Sequence, residues 1–472
     1  MANQFLVKKM WAIIQRNGAF ADRLAVISAN RETTWGSLLA LSHAAVRDLE
    51  HLRCCRVGIV CDASPECFAA LAAIDRLKAN AFLLDAGKTP AEISELASQF
   101  QLRSVVRIAG ESEWAVEEID SSSDSASAEH RVTILTSGTT GRPKAARHTW
   151  ETLSRPVAAL QDLDEPLFLT GNNEHQRWLL TFRPQLYAGL QVVLHAFANA
   201  GALVVANESG DQNELVSFMA NNGVGYVSAT PSFWRGLLLH VGRENLARLA
   251  ICQITLGGEL ADQGLLDALT STFPGVRITH IYATTELGKC FSVTDGIAGF
   301  PVSYLGKTLS GGVELKVDQG QLFVRSGNRM TEYDPLGSRL ESSSDDASSP
   351  SNAGWTYTGD LVEVSGDRVQ FVGRDTDIIN VGGYKVNPTK IEEILRQVPA
   401  VADVRVFGQS SSVTGQIVAC DIAVAAGFAP EAAQRAVREA ATEKLDRYHL
   451  PRIINVVDKI EVTPAGKVRR SD

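Results

Sequence analysis

The sequence has little of what marks a secreted, membrane or zinc-binding protein. Its seven cysteines show no paired CxxC spacing, so we expect them to be reduced and mostly buried: Cys54, Cys55, Cys61, Cys67, Cys252, Cys290 and Cys420. No apolar run approaches the length of a membrane span. The N-terminal MANQFLVKKMWAIIQRNGAF has charges inside its apolar stretch, which is typical of an amphipathic helix and not of a signal peptide. A cytoplasmic protein without a membrane span is therefore expected.

Positive charge is also scarce, because 45 Lys and Arg residues face 54 Asp and Glu residues and the formal net charge is -9. Binding to nucleic acid needs clustered Lys and Arg that neutralise phosphates, so we expect no nucleic-acid partner. Small anionic ligands are still compatible, since they need only a few local donors. With 45% hydrophobic and 21% charged residues, the 472-residue chain has the composition of an ordinary globular protein with roughly two to four domains.

Helix-like and strand-like segments alternate over much of the chain. From Thr34, TWGSLLALSHAAVRDLEHL has apolar residues at helical spacing, RVGIVCD is typical of a buried strand, and ECFAALAAIDRLKANA again predicts a helix. Further strand-like runs are AFLLDA, SVVRIA, RWLLTF, ALVVAN, GYVSAT, AICQITLGG and RITHIYATTE. Because strands separated by helices indicate parallel βαβ units, the predicted fold class is α/β.

Two later regions depart from this alternation. Residues 306–325 contain short strands and glycine turns, which predicts a small β-rich subdomain. After Arg374 the chain has its own pattern of helices and strands, so we predict a large N-terminal domain at residues 1–373 and a small, mobile α+β C-terminal domain at residues 374–472. Two Ser- and Asp-rich stretches, at 117–130 and 340–354, have almost nothing to bury and are expected to be exposed loops.

The stretch LTSGTTGRPKAARH, from Leu135 to His148, has the composition of an anion-binding loop. It is not a Walker A loop, because counting from Gly138 puts Pro143 where the second glycine is needed. Glycines Gly138 and Gly141 nevertheless let backbone N–H groups turn toward an anion, and Lys144 adds one charge. Hydroxyl donors come from Thr136, Ser137, Thr139 and Thr140. Neutral donors suit a polyphosphate that must be released after reaction, and the alternative is a solvated Ser/Thr turn.

A second polar cluster follows a strand-like run in RITHIYATTELGK. Tyr282 ends the run and is followed by Thr285 and Glu286, so the cluster is expected at the carboxyl end of a strand, where α/β sheets bind ligands. An aromatic ring, hydroxyls and one carboxylate suit a nucleotide base, its phosphate and a Mg²⁺ ion. Further along, Asp360 follows a Thr-Gly turn and is a candidate for ribose hydroxyls, as is Arg374.

Together these motifs resemble those of the adenylate-forming superfamily, in particular the AMP-dependent acyl-CoA synthetases. TSGTTGRPK resembles the phosphate loop of that family, and IYATTE resembles its Tyr-Gly-x-Thr-Glu motif, with Ala283 in place of glycine. LGGEL is similar to the adenine loop, TGD to the ribose motif, GRDTDIINVGGYKV to the hinge and PAGK to the C-terminal lysine motif. The resemblance covers essentially the whole chain.

The resemblance implies a two-step reaction with ATP, Mg²⁺ and coenzyme A. The carboxylate of a small acid attacks the α-phosphate of ATP to give an acyl-adenylate and pyrophosphate, and a thiol then displaces AMP to give a thioester. Glu286 is implied to hold Mg²⁺, Thr285 to touch the α-phosphate, and Lys467 to bridge the carboxylate and α-phosphate after domain closure. The other implied nucleotide contacts are Thr136, Ser137, Gly138, Thr139, Thr140, Gly141 and Lys144 at the β- and γ-phosphates, Gly257, Gly258, Glu259 and Tyr282 at adenine, and Asp360 and Arg374 at the ribose.

The sequence departs from the family pattern in the hinge and in the acyl pocket. Thr376 occupies the hinge position, where the family usually has Asp or Lys, whereas Gly382 and Gly383 are retained where the family lines a pantetheine tunnel. Leu186 occupies the position where the family often has a gating histidine. Tyr187 is a candidate wall of the acyl pocket, and the alternative is an ordinary core residue at a helix start. Three histidines near the motifs are expected to be ordinary core or surface residues: His148, His175 and His280.

Three functions share these features. The first is an ATP-dependent acyl- or aryl-CoA ligase. The second is a stand-alone adenylation enzyme that loads the phosphopantetheine of a carrier protein in trans or forms an amide with an amino acid. The third is a non-catalytic paralogue that binds a nucleotide or acyl ligand, but a binding module would not need the cation Lys467, which serves the transition state. The sequence does not indicate which carboxylic acid is used.

Overall fold

The helices of this computed structural model begin where the sequence supplies caps. The structure describes residues 9–119, 130–136, 143–157, 176–206, 211–338, 354–411 and 415–460. Thr34, Ser64 and Thr89 each accept, through the side-chain oxygen, the N–H of the third helical residue, which satisfies one donor that a helix start leaves free. The helices are α1 (Met10–Asn17), α2 (Trp35–Asp48), α3 (Pro65–Arg76), α4 (Pro90–Gln99), α5 (Trp150–Ser154), α6 (Tyr187–Ala198), α7 (Gln212–Asn221), α8 (Pro231–His240), α9 (Arg243–Leu246), α10 (Gln263–Thr272), α11 (Pro335–Ser338), α12 (Pro388–Leu395) and α13 (Pro430–Lys444).

A seven-stranded sheet carries both ends of the predicted phosphate loop. In spatial order its strands are β19 (Glu332–Tyr333), β8 (Lys144–His148), β7 (Val132–Thr136), β4 (Asn80–Asp85), β3 (Arg56–Cys61), β5 (Ser104–Gly110) and β6 (Glu113–Glu118). The central strands β7, β4, β3 and β5 are parallel, whereas β19, β8 and β6 add antiparallel edges. The βαβ prediction is therefore confirmed for the centre of this sheet.

An eight-stranded sheet carries the other predicted motifs of the large domain. Its spatial order is β14 (Gly288–Val293), β13 (Arg277–Thr284), β12 (Gln253–Leu256), β11 (Tyr226–Ala229), β9 (Arg177–Leu180), β10 (Ala202–Val205), β1 (Leu24–Ser28) and β2 (Glu32–Thr34). All neighbours from β13 to β1 are parallel, and the two edge strands are antiparallel. The carboxyl ends of β11, β12 and β13 therefore meet at one edge, which is where α/β sheets place ligands.

Helices α1, α2, α3 and α6 pack on one another between these two sheets. Their core contains side chains from both sheets, and its centre is aromatic: the ring centroid of Phe197 lies 4.9 Å from that of Trp35 and 5.5 Å from that of Phe68, both in edge-to-face contact. Helix α6 covers the eight-stranded sheet next to β9 and β10. This shared layer fixes the position of α6 over the sheet.

Two smaller sheets follow along the chain. The first is antiparallel, with the order β15 (Phe300–Pro301), β21 (Arg368–Arg374), β20 (Thr356–Ser365), β18 (Gln321–Arg325), β17 (Val313–Asp318) and β16 (Thr308–Leu309). It confirms the β-rich subdomain. The second has the order β23 (Tyr384–Val386), β22 (Ile379–Val381), β25 (Gly415–Val424) and β24 (Val401–Ser411), with β26 (Ile453–Val457) parallel to β25. Together with α12 and α13 it forms its own hydrophobic core.

Other sequence expectations can be compared with the described residues. All seven cysteines are free, and Cys61, Cys67, Cys290 and Cys420 are buried, as expected for reduced core residues. The first helix begins at Met10, and most of the two Ser-rich stretches lies outside the described residues. Within the described part of the chain, none of the helices combines the length and apolar character that a membrane crossing requires.

Candidate functional site

The two ends of the predicted phosphate loop face each other across an antiparallel strand pair. Thr136 ends β7, Lys144 begins β8, and the two residues are register partners. Between them, Ser137, Gly138, Thr139, Thr140 and Gly141 lie outside the described residues, so their predicted phosphate contacts stay predictions. The Lys144 ammonium lies over the ring of Tyr333, 5.6 Å from its centroid. The end of the loop at Lys144 therefore lies next to Tyr333.

Tyr333 links this loop to the predicted metal ligand. Its hydroxyl donates a hydrogen bond to Oε1 of Glu286 at 3.1 Å, and the N–H of Met330 donates to the Glu286 carbonyl at 2.8 Å. The next residue along, Asp334, is fully buried and accepts from the guanidinium groups of Arg56 and Arg147 at distances of 2.6 to 2.9 Å. Removing one partner of such a buried ion pair is costly, so this contact fixes the position of the Tyr333 segment.

His148 joins the phosphate-loop strand to the Thr285–Glu286 turn. It ends β8, is fully buried, and its Nε2 lies 2.8 Å from the Thr285 carbonyl oxygen. Burial lowers the pKa of His148 to about 4, so the ring is neutral at pH 7. Since a carbonyl only accepts, Nε2 carries the proton, and Nδ1 accepts from the Thr152 hydroxyl at 3.1 Å. The expected satisfied core histidine is confirmed, and it holds the backbone of a predicted catalytic residue.

The predicted adenine loop follows β12 at the ligand-binding edge of the eight-stranded sheet. The N–H of Gly257 donates to the Ala229 carbonyl at 3.1 Å, and Gly258 has φ +83°. No described atom lies within 4 Å of the position that a Cβ would take on Gly257. Glu259 Oε2 accepts from the N–H of Ser232, in the first turn of α8, at 2.9 Å. The backbone here is fixed at both sides and faces open space, which fits a flat ring lying against it.

Tyr282, Asp360 and Arg374 form one hydrogen-bonded cluster. Asp360 and Arg374 are register partners in β20 and β21, and Arg374 Nε donates to Asp360 Oδ1 at 2.9 Å. The Tyr282 hydroxyl donates to the other carboxylate oxygen. Burial, and next the Asp360 charge, raise the pKa of Tyr282, so the phenol stays protonated. Its ring stacks on Phe291 and Phe371, with centroids 5.2 Å away in both cases. The structure thus brings the three residues together, while the stacking of Tyr282 on adenine stays a prediction.

The predicted hinge and tunnel residues lie together after Arg374. Thr376 is in the short 3₁₀ turn Asp375–Asp377, and its hydroxyl donates to Asp377 at 3.3 Å. Gly382 and Gly383 form the two-residue turn between β22 and β23, with φ of +60° and +91°. Glycine is required there because both central residues of this hairpin turn have positive φ. A role in a pantetheine tunnel or a hinge stays a prediction.

Tyr187 is buried at the first position of α6, so it is a core residue at a helix start, as one of the two alternatives expected. Burial raises the pKa of its phenol. The hydroxyl accepts the backbone N–H of Lys289 at 3.1 Å, and the ring lies 5.7 Å from that of His148. Tyr187 therefore lies between His148, which bonds the Thr285 carbonyl, and the start of β14. Its place as a wall of the acyl pocket stays a prediction.

Lys467 lies outside the described residues, but the chain that leads to it lies beside the site. Asp458, Lys459 and Ile460 line one cavity together with residues that follow β9 and β11: Thr181, Phe182 and Thr230. Lys467 follows Ile460 by seven residues. An extended chain of this length spans up to about 25 Å.

Tyr333 and Lys289 were not identified from the sequence. Tyr333 lies 47 residues after Glu286 in a stretch without a motif, so nothing local points to it. Lys289 had a weak signal, since it is a single cation within the otherwise uncharged strand GKCFSV. Among the described residues, no group of three or more His, Cys, Asp or Glu side chains is placed to hold a metal ion.

Comparisons with known proteins agree with this geometry. The family model for AMP-binding enzymes matches residues 14–333, and that for the AMP-binding enzyme C-terminal domain matches residues 390–467. The probable 2-succinylbenzoate–CoA ligase of Mycobacterium tuberculosis (strain ATCC 25618 / H37Rv) is 30% identical over 347 residues, which covers 72% of this chain and 82% of the relative. The 2-succinylbenzoate–CoA ligase of Lactococcus lactis subsp. lactis (strain IL1403) is 26% identical, with coverage of 72% and 70%.

Solved structures share the fold over nearly the whole chain. The anthranilate CoA ligase AuaEII in complex with anthranoyl-AMP superposes with a TM-score of 0.77 at 20% identity, covering 98% of this chain and 95% of that one. The amide bond synthetase McbA from Marinactinospora thermotolerans superposes with a TM-score of 0.69 at 19% identity, covering 97% and 98%. At these identities the likeness shows the fold alone, which confirms the α/β architecture with a large and a small part.

Proposed function

Because the chain belongs to the family of AMP-binding enzymes, we propose that it activates a carboxylic acid with ATP and joins the acyl group to coenzyme A. In the first step, a carboxylate oxygen of the acid attacks the α-phosphorus, the bond from that phosphorus to the bridging oxygen breaks, and pyrophosphate leaves. In the second step, the thiolate sulfur of coenzyme A attacks the acyl carbon and AMP leaves. The products are a thioester, AMP and pyrophosphate.

The observation that carries this proposal is the convergence of Lys144, Thr285 and Glu286. These residues come from two different sheets, and His148 and Tyr333 hold them together. One mobile cation, one carboxylate and a neutral hydroxyl suit a polyphosphate that is bound, attacked at one phosphorus and then released. Donors aimed at the places where charge develops stabilise such a transition state.

Glu286 fits a magnesium site of the kind that enzymes of phosphoryl transfer use. Mg²⁺ in such sites keeps most of its waters and takes one or two carboxylates plus substrate phosphates, so a single carboxylate beside the loop is sufficient. Tyr333 donates to Oε1 of Glu286 and orients the carboxylate. When bound, the ion neutralises charge on the leaving pyrophosphate.

The remaining nucleotide contacts are assigned to two places, with adenine at Gly257 and the ribose at Asp360 and Arg374. The open space in front of Gly257 fits the adenine ring. The ion pair of Asp360 and Arg374 offers an acceptor and a donor at one point, which suits the two hydroxyls of a ribose. The amide N–H of Asp360 donates to the Thr358 hydroxyl at 3.1 Å and orders the turn that carries the carboxylate.

We also propose the division into domains 1–373 and 374–472, with Lys467 as the catalytic cation of the first step. The separate core of the last sheet supports an independently folded part. The cavity that Ile460 shares with Thr181 and Thr230 supports an approach of Lys467 from this side. A lysine delivered in this way stabilises the negative charge that develops between the carboxylate and the α-phosphate.

Coenzyme A as acceptor is supported by the relatives, which are named CoA ligases, and two of them act on 2-succinylbenzoate. The fold does not decide the acceptor, because an amide bond synthetase has the same architecture. A carrier-protein phosphopantetheine and an amine are therefore included as acceptors in the test.

The test measures pyrophosphate release over a panel of carboxylic acids, with coenzyme A, a carrier protein or amino acids as acceptor. We expect release with at least one acid and thioester formation only with coenzyme A. Lys467→Ala should slow adenylation by about 10²-fold or more and leave thioester formation from a supplied acyl-adenylate largely intact. The exposed Lys444, replaced by alanine, is the matched control. Absence of release with every acid would instead favour a non-catalytic nucleotide-binding protein.

A further inference from the structure

Lys289 is a cation within a mostly buried, otherwise uncharged strand. Four of the six residues of β14 are buried, while Lys289 and Ser292 are half-buried. Lys289 pairs across the sheet with Ala283, which packs against the core that contains α6. Directly paired residues of antiparallel strands project to the same face. Lys289 therefore lies on the face of the sheet that α6 covers, three residues after the proposed magnesium ligand Glu286.

The same face continues across the neighbouring strands with polar side chains. Trp178 belongs to it, and its indole stacks on the imidazole of His195 in α6 at 6.0 Å. Trp178 is in register with a row across β11, β12 and β13 that consists of Tyr226, Gln253 and Arg277. Leu180, two residues further along β9, is in register with a second row: Ser228, Thr255 and Thr279. Covered faces of parallel sheets usually consist of Val, Ile and Leu. The face under α6 therefore carries hydroxyls, an amide and an aromatic ring where aliphatic side chains are usual.

Among the described strand residues of this face, the charged side chains are Lys289 and Arg277, and both are positive. Lys289 and Arg277 have no ion pair or side-chain hydrogen bond with any described residue. Burial, and next the charge of Arg277, lower the pKa of Lys289. Burial, with a smaller contribution from Lys289, lowers the pKa of His195 to about 4, so this ring is neutral and the Lys289 ammonium is within electrostatic reach of it. A desolvated cation without a counter-ion destabilises the folded chain unless a ligand supplies the anion.

Of the two cations, Lys289 is the one close to the reaction centre. Its register partner Ala283 precedes Thr285 by two residues, and paired Cα atoms lie about 4.5–5.5 Å apart. Arg277 lies six residues before Ala283 in the same strand, or about 20 Å away, and is exposed. The backbone of Lys289 therefore lies next to the Thr285 turn, and its side chain lies on the face that α6 covers.

We propose that Lys289 is a specificity determinant that binds a second carboxylate on the acid substrate, so that the preferred substrate is a dicarboxylic acid. This inference rests on the proposed function, since it names the class of acid that the ligase activates. Lys289 contacts the distal carboxylate and takes no part in bond formation. Its loss therefore acts on recognition, and the first step continues with acids that lack the second charge.

The experiment uses the full-length enzyme and pairs of acids that differ only at the distal group. Each dicarboxylic acid, including 2-succinylbenzoate, succinate, glutarate and adipate, is compared with a counterpart in which a methyl group replaces the distal carboxylate. We expect the best dicarboxylic acid to exceed its counterpart in kcat/KM for pyrophosphate release by about 10- to 100-fold, as a charge-assisted hydrogen bond would give. Lys289→Met should abolish this preference mainly through KM, and Lys289→Arg should retain part of it.

Controls separate recognition from folding. Lys307→Met changes an exposed lysine outside the site and should leave the preference unchanged. The Tm of Lys289→Met should equal or exceed that of the wild type, because an uncompensated cation is removed. An equal loss of kcat/KM with both members of a pair, or a preferred acid without a second carboxylate whose activation survives Lys289→Met, would overturn the inference while the ligase function stands. If no acid of either kind supports pyrophosphate release, the ligase function fails and the inference fails with it.

Discussion

Replacement of His148 by leucine tests whether the Thr285–Glu286 turn is held by the strand that leaves the phosphate loop. The leucine removes the Nε2 donor of the bond to the Thr285 carbonyl, 2.8 Å long in a fully buried position. It also removes one acceptor of the Thr152 hydroxyl, which keeps the Thr149 carbonyl at 3.0 Å. The Thr285 carbonyl, in a half-buried residue, then lacks this donor, while Glu286 keeps its bonds from Tyr333 and Met330.

The magnitude follows from the cost of leaving a partly buried acceptor unpaired. That cost is about 1–3 kcal/mol, which corresponds to roughly 5- to 150-fold in an equilibrium or rate. Thr285 is the residue proposed to contact the α-phosphate, and small misplacements of groups next to a reacting bond are expensive in rate. We therefore expect kcat for pyrophosphate release to fall by about 10-fold or more, and the free energy of unfolding in urea to fall by about 1–3 kcal/mol.

Two further variants make the result specific. In His148→Gln, an amide N–H can replace Nε2–H, so this variant should recover much of the lost rate. His280 also bonds a carbonyl, that of Ile297 at 3.2 Å, but on a part of β13 away from the loop, and His280→Leu should leave kcat unchanged. If His148→Leu keeps wild-type kcat, or if His148→Gln is no better than leucine, the hydrogen bond does not position Thr285 and the reasoning is wrong.

Three more predictions address the metal ligand, the ribose contact and a buried acid. Glu286→Gln keeps an oxygen for the Tyr333 hydroxyl but loses the charge, so the Mg²⁺ concentration for half-maximal activity should rise by about 10-fold or more, and an unchanged Mg²⁺ titration would contradict the assignment. Asp360→Asn removes the anion that faces Arg374 and should raise KM for ATP by about 10-fold with a smaller change in kcat, which steady-state kinetics can refute. Burial raises the pKa of Asp75 from 3.8 to about 7, so ionisation destabilises the fold as pH rises through this window. Asp75→Asn should therefore stabilise the protein above pH 7 by up to about 4 kcal/mol, with the gain vanishing near pH 4 in urea unfolding curves, whereas a pH-independent difference would argue against burial as the cause.

Structural features that follow from a local sequence pattern could be predicted from the sequence. The parallel centre of both large sheets followed from the alternation of strands and helices, because a chain that returns to the same edge through a helix makes parallel neighbours. Gly382 and Gly383 were singled out only through the family resemblance, and the structure places them in the turn between β22 and β23 with positive φ. The cluster of Asp360 with Arg374 was expected from their motifs, and the antiparallel register of β20 and β21 explains why they meet.

Neither the antiparallel edge strands nor the contacts between distant segments could be predicted in this way. The antiparallel edge strands β6, β8 and β14 pair with sequence neighbours through short connections, and an alternation of helices and strands does not distinguish such an edge strand from a central one. Tyr333 reaches Glu286 because Asp334 is bound to Arg56 and Arg147, and no local pattern indicates a buried ion pair between residues so far apart. His148 was correctly expected to be satisfied, but its partner Thr285 depends on how two sheets are placed relative to each other.

The proposed site combines a fixed turn with a lysine from a part that has its own core, and the two-step chemistry explains this division. The turn at Thr285 and Glu286 is held by His148, by Met330 and by the Leu287 N–H, which donates to Thr284. Such hydrogen bonds place donors before the reaction and leave little reorganisation for the transition state. A cation held permanently at the same point would stay beside the AMP that must leave in the second step. A lysine on a part with its own core can support the first step and then withdraw, so the separate core and the fixed turn are complementary requirements of a two-step ligase.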